Sequence, residues 1–196
     1  GWPCDTPYAI FPNLFRNEAV QLSPEDLVTR LLAESNTRHV CITGGEPLLQ
    51  PEDEMLSFMS ALESLGYTWD LFTNGSRSLR NLMPHTAAMT IVMDWKLAGS
   101  GEGDSYLTER RENLHFLGDK DAVKVVVTGT SVMYEALACI TSCCRNGFNF
   151  QVYMAPAWDV VQPEEIVQFL NEHQLHRVRL NLQIHKYIWP TRERRT

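Results

Sequence analysis

The sequence has no long apolar run, no excess of positive charge and no even set of cysteines. A membrane-spanning helix needs about 20 consecutive apolar residues, and the apolar runs of this chain are far shorter. Acidic side chains outnumber Lys and Arg by 24 to 17, giving a formal net charge of -7. This balance argues against nucleic acid or an anionic membrane as the main partner. We therefore expect a soluble, cytoplasmic protein.

The cysteine content and the length favour one reduced domain. The chain has five cysteines, an odd number, and a chain of this size folds without disulfide staples, so we expect free thiols. Its 196 residues suit a single domain over residues 1–196. Such a domain would bury about 70% of the surface that its unfolded chain exposes.

Strand-like and helix-like segments alternate along most of the chain. β-Branched and apolar runs predict strands over residues 39–43, 68–73, 89–95, 122–127, 148–154 and 177–182. Capping residues and helical spacing predict helices that start at 23–26 and that cover 52–65, 105–117, 131–144 and 163–173, with a loop over 7–21. The alternation is typical of a parallel α/β sheet with its ligand at the carboxyl ends of the strands. Six strands are too few for a closed eight-stranded barrel.

The segment after the first predicted strand has the composition of a ligand cradle. Gly44 and Gly45 let the backbone approach a ligand because they lack a Cβ, and Glu46 supplies an acceptor. An ordinary strand-to-helix turn accounts for the same residues. Three more predicted strands end in polar or glycine-containing segments, at 73–76, 94–96 and 154–156. Parallel strands end at one rim, so these segments predict a shared site.

Three motifs of the chain resemble one known family. They are Cys4-Asp5-Thr6-Pro7-Tyr8, Ile42-Thr43-Gly44-Gly45-Glu46-Pro47 and Gln183-Ile184-His185-Lys186-Tyr187. In this order they resemble the radical S-adenosylmethionine (SAM) enzymes, and within them the 7-carboxy-7-deazaguanine synthases of queuosine and 7-deazapurine biosynthesis. The resemblance runs from residue 4 to about residue 189. It implies a partial (β/α) barrel of about six mostly parallel strands.

The resemblance implies an iron-sulfur cluster. In that family a Cys-x3-Cys-x2-Cys run binds a [4Fe-4S] cluster, because cluster iron prefers thiolates. Cys4 matches the third cysteine, although an arbitrary cysteine is more often a small buried hydrophobe. We interpret the chain as N-terminally truncated, with two cysteines, a first strand and a Gln-Gly-Glu segment upstream, and as unable by itself to hold a complete cluster. Cys41, Cys139, Cys143 and Cys144 are expected to be ordinary core or surface thiols.

The resemblance also implies contacts to SAM and to a metal ion. Gly44, Gly45 and Glu46 would hold the amino end of SAM. Asn74 would be a further contact, although Asn-Gly turns occur without any ligand. Thr6 would bind Mg²⁺ together with the substrate, since hard cations take oxygen ligands; alternatively it only caps a turn.

Two strand ends match the family's SAM segments with changed side chains. Asp94, Trp95 and Lys96 stand where the family has Ser-Pro-Lys, so Lys96 would pair with the SAM carboxylate or a ribose hydroxyl, unless it is a plain surface lysine. Ala155 and Pro156 stand where the family has a Gln-Pro segment near the SAM adenine. Contact there would be through the backbone.

The substrate end and the reaction follow from the same resemblance. Thr43, His185 and Lys186 would meet the substrate, although a lone histidine is more often structural. The implied enzyme is a lyase that converts 6-carboxy-5,6,7,8-tetrahydropterin to 7-carboxy-7-deazaguanine with loss of ammonia. The cofactor carries this chemistry, so no side chain is given a catalytic role. Flavodoxin or ferredoxin would supply electrons to a homodimer. The alternatives are another radical SAM enzyme or activase, and a non-catalytic SAM-binding fragment.

Overall fold

A single six-stranded sheet forms the centre of the computed structural model, which describes residues 20–97, 100 and 105–188. Its strands are β1 (His39–Ile42), β2 (Thr68–Thr73), β3 (Met89–Trp95), β4 (Ala122–Val127), β5 (Gln151–Pro156) and β6 (Val178–Leu180). All neighbouring pairs are parallel, and their order in the sheet is their order in the chain. β1 and β6 are the edges of this described sheet. The predicted open α/β sheet of about six strands is therefore confirmed.

Six helices precede, connect and follow the strands in the described part of the chain. They are α1 (Pro24–Glu34), α2 (Glu52–Ser64), α3 (Leu107–Asn113), α4 (Thr130–Arg145), α5 (Pro163–Glu172) and α6 (Ile184–Ile188), with short 3₁₀ turns at Pro47–Leu49, Arg80–His85 and Leu114–Phe116. As predicted, Ser23 caps α1, because its Oγ accepts a hydrogen bond from the backbone N–H of Asp26 at 3.1 Å. None of the helices in the described part of the chain has the length and apolarity to cross a bilayer.

The sheet is buried on one face and half exposed on the other. Connections between neighbouring parallel strands are almost always right-handed, so the helices between them come to one side of the sheet. The strand residues on that side are almost fully buried; they include Trp69, Leu71, Ile91, Met93, Val125 and Met154. The residues that alternate with them, including Asp70, Asp94, Lys124 and Tyr153, are only partly buried. We call this second side the open face.

The predicted boundaries agree best where one face of a strand is fully buried. β2, β3 and β4 have the predicted limits. The strand predicted over 148–154 was wrong by several residues, since β5 is Gln151–Pro156. The rings of Phe148 and Phe150 stack at 5.6 Å in the segment before it, so their apolar character serves packing rather than the sheet. Helix α6 was not predicted, and all but the last two residues of the loop predicted over 7–21 lie outside the described residues.

Candidate ligand site at the strand ends

The two glycines after β1 form an open backbone turn. Gly44 has φ +88° and Gly45 has φ +54°, conformations that favour glycine. A Cβ added to Gly44 would meet nothing within 4 Å among the described residues. Thr43, Gly44 and Gly45 are all exposed. The backbone of this turn is therefore accessible to a ligand, as the sequence predicts.

The Glu46 carboxylate joins this turn to the end of β2. Glu46 is 8% exposed. Its Oε1 accepts hydrogen bonds from the N–H of Leu48 at 3.1 Å and from the hydroxyl of Thr73 at 2.7 Å. Its Oε2 accepts from the N–H of Asn74 at 2.6 Å. We call these three bonds the Glu46 clasp. A carboxylate has about four acceptor positions, so one further donor can still bind.

The segment after β2 forms a second turn beside the first. The hydroxyl of Thr73 accepts from the N–H of Gly75 at 3.1 Å, and Oδ1 of Asn74 accepts from the N–H of Ser76 at 2.9 Å. Gly75 has φ +71°. The side-chain NH₂ of Asn74 makes no hydrogen bond to another residue in the described part of the chain, so it can donate to a ligand. The structure thus brings Asn74 together with the Gly44–Gly45 turn.

Two buried side chains of α3 form hydrogen bonds to the backbone of this second turn. Arg110 is fully buried, and its Nε donates to the carbonyl of Asn74 at 2.9 Å. Asn113 is also buried; its Nδ2 donates to the carbonyl of Gly75 at 3.2 Å, and its Oδ1 accepts from the N–H of Leu79 at 3.0 Å. Both residues were missed by the sequence analysis. They position the turn and do not themselves reach the rim.

The spacing of Arg110 relative to its apolar neighbours is a signal by which it could have been found. Arg110 lies three positions after Leu107 and four before Leu114, spacings that share one side of a helix. Leu114 is buried in the core. A charged residue on the apolar side of a predicted helix indicates a specific buried partner, since an unpaired buried charge is costly.

At the end of β3 one carboxylate lies between two lysines. Oδ1 of Asp94 is 3.0 Å from Nζ of Lys124, and Oδ2 is 3.2 Å from Nζ of Lys96. The three side chains are each about a quarter exposed. Two cations share one anion here, so the cluster has excess positive charge and suits an anionic ligand group. Lys124, on β4, was not predicted.

Trp95 and the end of β5 contribute differently from Asp94. The side chain of Trp95 is 8% exposed and packs in the core on the helix-covered face. Only its backbone reaches the strand end. Ala155 and Pro156 are buried where β5 pairs with Val126 and Val127 of β4. Of the predicted triplet, the structure therefore places the side chains of Asp94 and Lys96 together and separates that of Trp95.

The segment 183–187, near the end of the described chain, packs against the loop that follows β5. The rings of Trp158 and Tyr187 meet edge to face with centroids 5.0 Å apart. Nζ of Lys186 lies 5.6 Å from the centroid of the Trp158 ring. The side-chain oxygen of Gln183 is buried and has no hydrogen-bond partner among the described residues, while His185 is exposed. The segment is thus held against Trp158 by a ring contact and a cation–π contact.

The remaining predicted ligands and thiols lie elsewhere. Cys4 and Thr6 lie outside the described residues. On α4, a hydrogen bond between the thiols of Cys139 and Cys143 raises the pKa of Cys139 and lowers the pKa of Cys143, and burial raises the pKa of Cys139 further. Both are free cysteines, as are Cys41 and Cys144.

Comparison with known proteins places these features in a family. No family model matches the chain. A 7-carboxy-7-deazaguanine synthase of Clostridium acetobutylicum is 33% identical over 97% of this chain and 82% of its own length. The corresponding proteins of Koribacter versatilis and Thermoplasma acidophilum are 35% and 27% identical, over 76% and 95% of this chain and 67% and 80% of their own lengths. The chain belongs to the 7-carboxy-7-deazaguanine synthase family.

Proposed function

We propose that the chain is the catalytic domain of a radical SAM lyase that converts 6-carboxy-5,6,7,8-tetrahydropterin to 7-carboxy-7-deazaguanine with loss of ammonia. The observation that carries the proposal is identity to a synthase over nearly the whole chain. The described residues share one sheet and one core, which supports one domain over residues 1–196. A cytoplasmic location and a flavodoxin or ferredoxin as electron donor are proposed from the family, and the four described cysteines are free, as is usual in a reducing compartment.

The rim formed by the strand ends fits the amino-acid end of SAM. Gly44 and Gly45 offer an exposed backbone without an obstructing Cβ, and Glu46 has one acceptor position left for the ammonium group. The NH₂ of Asn74 and the ammonium of Lys96 are donors suited to the carboxylate. The backbone of Ala155 and Pro156 would face the adenine. The Glu46 clasp holds the Gly44–Gly45 turn and the end of β2 at a fixed distance. Less entropy is therefore lost when SAM binds.

The substrate offers a second carboxylate and a polar ring. Lys96 can pair with the carboxylate of SAM without leaving Asp94 unpaired, because Lys124 also binds Asp94. Thr43 is exposed beside the glycines, and His185 and Lys186 lie on the segment 183–187, which packs against Trp158. We propose that these groups orient the pterin and exclude water from it.

The cofactors are proposed from sequence and family. Cys4 would ligate a [4Fe-4S] cluster with cysteines of the family motif, and Thr6 would bind Mg²⁺ with the substrate. SAM bound at the reduced cluster supplies the hydrogen abstraction that starts the reaction. The residues of the chain bind and orient both molecules, and a homodimer is proposed as the assembly.

Turnover tests the proposal. The full-length gene product that contains this chain is reconstituted anaerobically with iron and sulfide, then incubated with SAM, Mg²⁺, a reductant and 6-carboxytetrahydropterin. We expect 7-carboxy-7-deazaguanine in the mass spectrum, formed only when SAM and the reductant are both present. A tetrahydropterin without the carboxylate should give no product. SAM cleavage without the deazaguanine would instead favour a radical SAM enzyme for another substrate.

A further inference from the structure

Three side chains with different metal-binding atoms meet on the first two strands of the described sheet, away from the strand-end rim. His39 and Cys41 are two residues apart on β1 and therefore point to the same side. Asp70 on β2 is the register partner of Cys41. One ligand atom from each of the three lies within 4.8 Å of the other two. The cluster opens on the open face, and His39 and Cys41 are exposed.

The imidazole of His39 is oriented as it is in many metal sites. Its Nδ1 is 2.8 Å from the hydroxyl of Thr68, which is its register partner on β2. Its Nε2 is 3.1 Å from Oδ2 of Asp70. When Nδ1–H donates to the hydroxyl, the lone pair of Nε2 faces a carboxylate oxygen, so a cation between them is favourable. A metal-bound histidine typically uses its second nitrogen in this way.

The distance between the nitrogen and the oxygen matches one edge of a coordination tetrahedron. Two bonds of about 2.0–2.1 Å that meet at a tetrahedral angle place their ligand atoms about 3.3 Å apart. A rotation of the exposed Cys41 side chain would bring the sulfur to the third position. Cys41 and Asp70 are register partners on neighbouring strands, so the sulfur and the carboxylate lie close to each other.

We propose that His39, Cys41 and Asp70 bind one divalent ion of the zinc class, with the fourth position taken by water. Imidazole, thiolate and carboxylate together suit a borderline ion such as Zn²⁺, whereas Mg²⁺ and Ca²⁺ prefer oxygen alone. The ion would link the edge strand β1 to β2. This site is separate from the proposed SAM site, because the Gly44–Gly45 turn and Asn74 lie beyond the carboxyl ends of these strands.

Cobalt(II) tests the proposal with a direct spectroscopic signal. The full chain is stripped of metal and titrated anaerobically with Co²⁺, without SAM or substrate. We expect one tetrahedral Co²⁺ per chain, with visible d–d bands and a near-ultraviolet thiolate charge-transfer band, both displaced by Zn²⁺. C41S should abolish the charge-transfer band. H39A and D70N should each weaken binding at least tenfold, because even the loss of a residue that only orients a metal ligand typically costs about 10–100-fold in affinity.

Matched cysteine variants separate this site from the other thiols. C144S removes an exposed free cysteine of α4 and should keep the spectrum of the unchanged chain. Absence of a charge-transfer band in the unchanged chain overturns the proposal. So does a band that survives in C41S, or one lost in the C139S/C143S double variant. D70N keeps the side-chain shape, so unaltered Co²⁺ affinity in a D70N chain with normal circular dichroism also refutes the site.

Discussion

Replacing Glu46 by Gln is expected to destabilise the fold as well as any ligand complex. The carboxylate accepts three hydrogen bonds through two oxygens, whereas the amide has one oxygen and an NH₂ that only donates. If the amide oxygen keeps the bonds from Leu48 and Thr73, the NH₂ faces the N–H of Asn74. One bond to a charged acceptor, worth about 1.5–3 kcal/mol, is then lost and the other two are weakened. We expect a loss of about 2–4 kcal/mol in the free energy of unfolding.

Urea unfolding followed by circular dichroism measures this loss. With a slope of about 3 kcal/mol per molar urea, the midpoint of the E46Q chain should fall by about 1 M. E54Q, at an exposed position of α2, is the matched control and should change the free energy of unfolding by no more than about 0.5 kcal/mol. T73V removes one partner of the clasp, so E46Q and T73V together should cost less than the sum of the two single changes. An E46Q chain within about 0.5 kcal/mol of the unchanged protein would refute the structural role of the clasp.

The remaining predictions concern a glycine and a thiol pair. A Cβ at Gly75 would lie 2.8 Å from Sδ of Met93, whereas one at Gly66, with nearly the same φ, would meet nothing within 4 Å among the described residues. Thermal and urea unfolding should therefore show G75A to be less stable than G66A by about 1–3 kcal/mol, and equal stability of the two would contradict this. The pKa of Cys143 is lowered by a hydrogen bond from Cys139, so C139A should shift the pH profile of Cys143 alkylation, followed by mass spectrometry, to higher pH. The thiolate that this bond stabilises would then form only at higher pH; an unshifted profile would contradict the bond.

The sequence predicted the fold well where burial alternates along a strand. In β3 every second residue, from Met89 to Trp95, is buried, and such a pattern is visible without any tertiary information. It failed at Phe148 and Phe150, because an apolar aromatic run looks the same whether it pairs in a sheet or stacks before it. Helix α6 has five residues, with Ile184 and Ile188 exposed. It is therefore too short, and too little buried, to give a helical pattern in the sequence.

The strand ends that form the candidate site were predictable from the sequence, but the hydrogen bonds that join them were not. The position of Gly44 and Gly45 after a strand indicated a cradle, because parallel strands end at one rim. The bond between Glu46 and Thr73 joins residues 27 positions apart, and no local pattern encodes that pairing. The full burial of Trp95 and the partial burial of Asp94 followed from strand alternation, although the family motif had suggested a common role for both.

SAM binding to a G44A chain tests the central claim most directly. Gly44 and Gly147 both have positive φ, +88° and +75°, and an added Cβ at either would meet nothing within 4 Å in the described part of the protein. G44A and G147A should therefore lose similar stability, about 1 kcal/mol each, while only the first places a methyl group where SAM is proposed to lie.

The dissociation constant of SAM is measured by anaerobic equilibrium dialysis on the reconstituted full-length gene product. We predict at least tenfold weaker binding by G44A, and binding by G147A equal to that of the unchanged protein. Equal affinities of the two variants, or no SAM binding by the unchanged chain, would contradict the claim that the Gly44–Gly45 turn is the SAM site of this synthase.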